Sequence, residues 1–300
     1  MKILVVGGTG MIGGHAALHL KMKGHEVAIA GRNRPAAGTP LGDLLFLRVD
    51  YVAMDYDRAA LAGFDAMVFA AGNDIRHVPE GADDAHWEAV NTVAVPRFLE
   101  AAKAAGIGLA VNVGSFYPQA APELIETNAY IRSRKGADDG VAALADAGFR
   151  AMSVNAPFVL GSVPGLVVPM FAAYVAFAEG KLASIPEFVP PGGTNFISTR
   201  SLSEAIEGGL ERGKAGASYL VGDENLSFQD YFGGFFEAVG RKKPPVRDEE
   251  HPMLPDSALF FGRGNTLYYE PDVATAALLG YRRNDVMPAI REIVAQYRSG

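Results

Sequence analysis

Seven residues near the start of the chain, Gly7-Gly8-Thr9-Gly10-Met11-Ile12-Gly13, carry the most legible chemistry. They follow a short apolar run, Ile3 to Val6, and precede a stretch of helical character. Glycines at 7, 10 and 13 let the chain turn tightly, let its backbone approach a pyrophosphate, and let a helix pack on a strand. The helix N-terminus offers unpaired N–H groups and the positive end of the helix dipole to phosphates. Between a first strand and a helix, this pattern marks a dinucleotide site rather than a structural turn.

The end of the next strand-like run reads Gly31-Arg32-Asn33-Arg34. An NAD enzyme usually places a carboxylate here to accept from the ribose 2′-hydroxyl, and that carboxylate would repel a 2′-phosphate. None is present, and Arg32, with Arg34 as a second candidate, can pair with the phosphate instead. The expected cofactor is therefore NADP(H), ahead of NAD(H). Asp50 ends the third run, where its carboxylate can accept from an adenine amino group with Tyr51 beside the ring; Asp55 competes for that role. Ala70, Ala71 and Gly72 end the fourth run, where small residues leave room for a cofactor backbone.

These residues need strand ends and helix starts to hold them. The predicted strands are 2–6, 26–30, 44–49, 66–70, 108–113 and 150–155. Helices are expected over 12–23, over 84–105 closed by Gly106, and over about 128–147 closed by Gly148. Strands alternating with helices at this spacing mean βαβ units, a parallel sheet and a doubly wound Rossmann-type α/β fold. The expected division is a dinucleotide domain over 1–160 and a smaller substrate lobe over 161–300, with some of 194–222 returning to the main sheet. Ser201 with Glu204 fits a capping box, and Ser227 with Asp230 an acidic version of one.

Composition narrows the function classes. The chain has 300 residues and a formal net charge of -7, which disfavours a nucleic-acid partner. It has no cysteine, which excludes disulfides, thiolate catalysis and Cys-ligated zinc, and fits a reducing, cytoplasmic setting. The apolar run at the N-terminus breaks at Gly7, unlike a signal peptide. The charge-free stretch from Ala151 to Ala178 is interrupted by Pro157, Pro164 and Pro169, so no membrane partner is expected. His15 and His19 have i, i+4 spacing, but no carboxylate motif accompanies them, and no metal is expected.

Taken in order, GGTGMIGGH, ALAGFD at 60–65, AAG at 70–72, VNTVAVPRFLEAA around Asn91, VGSFYP around Ser115, YIRSR from Tyr130, NAPFVLG at 155–161 and the closing LLGYRRNDVMPAIREIVAQYR resemble the extended short-chain dehydrogenase/reductase superfamily. That group includes NAD(P)-dependent sugar epimerases, dehydratases and dihydroflavonol-type reductases, and the resemblance covers nearly the whole chain. It implies a catalytic tyrosine, Tyr130, with Ser115 and a cation four residues on. The chemistry is sound on its own terms: hydride exchange at a carbinol carbon needs a proton to move at its oxygen. A phenol with a reference pKa near 10 needs a nearby cation to serve as base. Residues i and i+4 share a helix face.

The chain departs from the pattern at that cation. The lysine of the resemblance would fall at 134, where this chain has Arg134, with Lys135 next to it. Lys135 lies about 100° further round an ideal helix. Three readings stay open: Arg134 serves as the cation, Lys135 reaches in from an irregular turn, or catalysis is lost while cofactor binding remains. The resemblance also puts Asn91 near the active site, Pro157 and Phe158 beside the nicotinamide, and a homodimer interface on the helices at 84–105 and 128–147. Phe116, Tyr117, Phe158, Leu160 and Tyr174 are candidate pocket walls.

The first expected function is NADP(H)-dependent interconversion of an alcohol and a carbonyl in a small, fairly apolar molecule. A sugar-nucleotide epimerase or dehydratase using its cofactor transiently is the alternative; a diphosphate would want basic residues, and 151–199 contains only Lys181. A non-catalytic NADP-binding sensor is the third reading.

Overall fold

Strands covered on both faces read as unbroken apolar runs, and this chain threads several of them through one sheet. The computed structural model describes residues 1–72, 79 and 82–298. In chain order the first half gives β1 (Lys2–Val6), α1 (Met11–Met22), β2 (Glu26–Gly31), β3 (Leu45–Asp50), β4 (Asp55–Tyr56), β5 (Ala66–Phe69) and α2 (Asp84–Trp87). A π-helical segment over Glu88–Val93 leads into α3 (Ala94–Ala104). Then come β6 (Leu109–Ser115), α4 (Tyr117–Ala120), α5 (Leu124–Thr127), α6 (Ala129–Ala143) and β7 (Arg150–Ala156). The second half gives β8 (Phe158–Leu160), α7 (Pro169–Ala178), β9 (Gly193–Ser198), α8 (Thr199–Arg212), β10 (Ser218–Leu220), β11 (Glu224–Ser227) and α9 (Phe228–Ala238). It closes with β12 (Thr266–Leu267), α10 (Val273–Leu279) and α11 (Val286–Arg298).

The main sheet has eight strands in the order β10-β7-β6-β5-β1-β2-β3-β4. All pair in parallel except β4, which runs antiparallel to β3. The chain winds outward from β1 through β2 and β3, then returns to β5 on the other side of β1. That reversal is the topological switch point, where such sheets hold their ligands beyond the strand ends. Successive side chains alternate between faces. Ile3, Val5, Val68, Val111 and Val154 share one core with Ala16 and Leu20 of α1 and Leu202 and Ile206 of α8. Leu4, Val6, Met67 and Phe69 share the other with Phe98 and Leu99 of α3 and Val141 of α6.

A second sheet is built on β9, with β11 antiparallel along one edge and β12 and β8 parallel along the other. Phe171, Tyr174, Phe232, Phe235 and Ile290 pack in the core under it. The chain leaves the main sheet at Pro157, and α8 and β10 return to it. Among the described residues, no helix is long and apolar enough to cross a membrane.

Three helix boundaries differ from the sequence reading. The run expected as one helix over 84–105 widens into the π-helical segment, because Pro96 has no N–H to bond the carbonyl of Thr92. The helix expected to reach 147 ends at Ala143, where Asp146 Oδ1 accepts from the N–H groups of Gly148 and Phe149 and turns the chain. The Ser201–Glu204 capping box does not form. Ser198 caps α8 instead, its Oγ accepting from Ser201 N at 2.9 Å, while Glu204 binds Arg282. The box at α9 does form: Ser227 Oγ accepts from Asp230 N at 3.0 Å and donates to Asp230 Oδ2 at 2.7 Å.

Candidate active site

The glycine loop between β1 and α1 presses against the end of β5. Gly7 adopts φ +80°, which only glycine takes readily, and a Cβ there would stand 2.6 Å from Ala71 N. A Cβ on Gly13 would stand 2.4 Å from Gly7 O, so α1 can seat on the loop only with glycine at 13. Gly10 differs. It is the N-cap residue of α1, no side chain caps the helix, and a Cβ would meet nothing nearer than Gly7 O at 3.5 Å. The first-turn N–H groups of α1 therefore face an open cradle that suits a pyrophosphate. Met11 and Ile12 are half-buried and help seat this helix on the core. The Thr9 side chain lies over Gly31, where a Cβ would be 2.8 Å from its Oγ1, so the end of β2 borders the loop.

Beyond Gly31, residues Arg32, Asn33 and Arg34 are exposed. The Arg34 guanidinium sits 5.0 Å from the ring centre of Phe46, which fixes its position at the strand end. Asp50 Oδ1 accepts from the N–H groups of Val52 and Ala53, both at 3.1 Å, so that carboxylate oxygen holds a turn. Asp55 pairs with Arg48. Tyr51 is a correction: it is buried, edge-on to Phe69 at 5.1 Å, and its hydroxyl donates to Val90 O, so its ring belongs to the core.

Helix α6 runs back along the sheet, so its start lies at the same end as the glycine loop. Asn128 caps it, its Oδ1 accepting from Ile131 N at 3.1 Å, and this sets Tyr130 in the first turn. One turn on, Arg134 Nη2 donates to Val113 O at 3.1 Å, two residues before the buried Ser115 that ends β6. Arg134 Nη1 lies 2.9 Å from where a Cβ on Gly72 would be. The guanidinium therefore bridges the ends of β5 and β6, beside Ala70 and Ala71. Its Nε is buried with no hydrogen-bond partner among the described residues. Lys135 is a second correction. It turns to Asp139 on its own helix, at 2.5 Å, and stays on the outer surface because α6 is regular there.

Other expected residues serve the framework. Asn91 is fully buried in the π-helical segment, and its Nδ2 donates to Ser133 Oγ of α6 at 3.1 Å. It holds α6 in place, and no cofactor contact follows from that position. Pro157 is buried, and Phe158 is half-buried, edge-on to Phe196 and Tyr231 of the lobe core. Leu160 and Tyr174 are buried in the same core. His15 bonds Ser203 at 2.7 Å and His19 bonds Glu207 at 2.8 Å, joining α1 to α8. Burial and the neighbouring His19 lower the His15 pKa to about 4.

Sequence reading missed two residues. Trp87 of α2 sits edge-on to Tyr130 at 4.9 Å, and Phe260 lies against it at 5.6 Å. Phe260 also meets Tyr117 edge-on at 5.3 Å, and burial raises the Tyr117 pKa well above the ordinary phenol value, with Tyr130 a lesser cause. Phe116 is buried behind them, between Tyr117 and Tyr269. The single tryptophan was a usable signal; nothing local to Phe260 distinguishes it from a core aromatic. Two cavities, of about 340 Å³ along Phe46–Leu61 and about 510 Å³ beside Ala238 and Arg291, lie away from Tyr130.

A parallel sheet with a glycine-rich phosphate loop at its switch point defines a Rossmann-type dinucleotide-binding protein. The model of the NAD dependent epimerase/dehydratase family matches residues 3–192, and the chain belongs to that family. No curated protein matches it. A putative epimerase from Burkholderia cenocepacia J2315 has a similar structure, with a TM-score of 0.76 at 18% identity over 100% of this chain and 98% of that one. UDP-glucose-4-epimerase from Stenotrophomonas maltophila, with bound NAD and formylated UDP-arabinopyranose, gives 0.74 at 19% identity over 100% and 98%. RMD from Pseudomonas aeruginosa, complexed with NADPH, gives 0.66 at 18% identity over 100% and 99%. At these identities the likeness is one of fold.

Proposed function

We propose that this protein oxidises a secondary alcohol with a nicotinamide cofactor and returns the hydride within the same catalytic cycle, as an epimerase or dehydratase does. The observation that carries the reading is the placement of Tyr130 and Arg134 on one face of α6, with Arg134 bridging the ends of β5 and β6 beside the glycine loop. Family membership, and the epimerases among the structural neighbours, favour transient over net redox.

The first turn of α1 and the glycine loop would hold the pyrophosphate, and the buried Arg134 Nε–H has no hydrogen-bond partner among the described residues. Arg32 and Arg34, without a carboxylate between them, favour NADP(H) over NAD(H). The nicotinamide supplies the hydride acceptor and then the donor. Tyr130 takes the proton from the substrate hydroxyl and later gives it back, Arg134 stabilises the phenolate, and Ser115 hydrogen-bonds the reacting oxygen. Lys135, held outward by Asp139, takes no part.

The runner-up is net alcohol/carbonyl interconversion with release of reduced cofactor. It is favoured by the half-buried rings around Tyr130, which suit a small apolar substrate. Absorbance at 340 nm separates the two. With oxidised cofactor and a turned-over substrate, transient redox leaves no accumulated reduced cofactor, whereas net oxidation does. Tyr130→Phe abolishes turnover in either case while cofactor binding persists. Undiminished turnover in that variant removes both readings.

A further inference from the structure

We infer that Trp87, Tyr117 and Phe260 select the substrate, and that the group they accept beside the reacting carbon is an uncharged planar ring, not a nucleotide diphosphate. This rests on the reading of Tyr130 as the proton-relaying residue. Trp87 comes from α2, Tyr117 from α4 and Phe260 from the segment after the short 3-10 turn Asp256–Ala258, so distant parts of the chain meet at Tyr130, Tyr117 joining through Phe260. All three rings, and Tyr130 itself, are half-buried, whereas Phe116 behind them is buried. Buried core aromatics present no surface to a ligand; these rings do, and two of them lie against the ring of Tyr130.

The contacts also define what can enter. Trp87 and Phe260 lie against the ring of Tyr130, so a substrate reaching the phenol meets aromatic surface. A flat unsaturated ring makes edge and face contacts of the same kind, with a preferred geometry that adds to plain area burial. Charge points the same way. On the elements that bear these rings, the cations are Arg132, Arg134, Lys135 and Arg263 among the described residues. Arg132 is bound to the carbonyls of Ile125 and Glu126 and lies 3.7 Å from Asp84. Lys135 is held by Asp139, and Arg263 lies between Asp256 and Asp248. Arg134 is held by Val113 O and lies beside Gly72 at the ends of β6 and β5. A diphosphate would arrive with two negative charges, and among the described residues of these elements Arg132, Lys135 and Arg263 are each already paired with a carboxylate.

The test uses the full chain saturated with NADP+, with 1-phenylethanol, 1-cyclohexylethanol and UDP as probes. Binding is read by calorimetry and by the emission of Trp87, the only tryptophan in the chain. The expected result is that 1-phenylethanol binds at least ten-fold tighter than either other probe and shifts the Trp87 emission. Phe260→Ala should remove that preference and Phe260→Tyr should keep it, with NADP+ affinity unchanged in both as the check on folding. Tighter binding of UDP, or a preference that survives Phe260→Ala, overturns the inference and leaves the catalytic reading standing. Failure to bind either nicotinamide dinucleotide overturns both.

Discussion

Arg134 donates from Nη2 to the carbonyl of Val113 at 3.1 Å, tying the catalytic face of α6 to the end of β6. This bond needs a fork-shaped donor, since Nη1 lies at the same time beside Gly72. Arg134→Lys keeps the charge and loses the bridge, so kcat/KM should fall less than about ten-fold. Arg134→Ala loses both and should fall by roughly 100-fold or more, within the usual range for a group that supports proton transfer. Steady-state kinetics on the two variants check this, and Lys135→Ala should match the parent protein.

The two glycines of the phosphate loop should separate folding from binding. Gly13→Ala places a Cβ 2.4 Å from a backbone oxygen and should destabilise the protein by about 1–3 kcal/mol, read by denaturant unfolding. Gly10 has φ -97° and open space around it, so Gly10→Ala should change stability by less than about 0.5 kcal/mol. The added methyl enters the phosphate cradle, and cofactor affinity should fall at least about ten-fold, the loss of about one charged hydrogen bond.

Cofactor choice should turn on charge at the end of β2. Arg32→Glu replaces a partner of the 2′-phosphate with a repelling carboxylate. NADPH affinity should fall by about ten- to 100-fold, the worth of one hydrogen bond to a charged group, while NADH affinity holds or improves. Calorimetry with both dinucleotides is the measurement. A parallel loss for both would mean that Arg32 acts on something they share.

Acid should weaken the α1–α8 contact through His15. Its pKa is lowered from 6.5 to about 4 in the folded protein, mainly by burial, so the unfolded chain binds the extra proton between those values. Stability therefore rises with pH through that window and is lost as pH falls through it. The loss from pH 7 to pH 5 should be about 2 kcal/mol. Glu204 and Glu207 have lowered pKa values, held down by Arg282 and by Lys23 and His19 against the opposing cost of burial. Their share is lost as pH falls below the ordinary carboxylate range, in the same direction. Urea unfolding at pH 7 and pH 5 should show a smaller difference in His15→Gln than in the parent protein.

The chain's own pattern determined the strands, their parallel order of winding and the phosphate loop. Those features are local: an apolar run of five residues, a glycine where φ must be positive, a helix opened by a free turn of N–H groups. Tyr130 was legible through the resemblance that YIRSR carries, and spacing of four residues then places Arg134 on the same face of α6. Tertiary structure decided what no local pattern contains. Pro96 widened a helix that periodicity alone continued, and Asp146 stopped another early. Tyr51 and Asn91 have the types expected of site residues, yet packing drew them into the framework, because a side chain's partner depends on which distant segment fills the space beside it. Phe260 reaches Tyr130 across 130 residues of chain for that reason, and only the folded contact shows it.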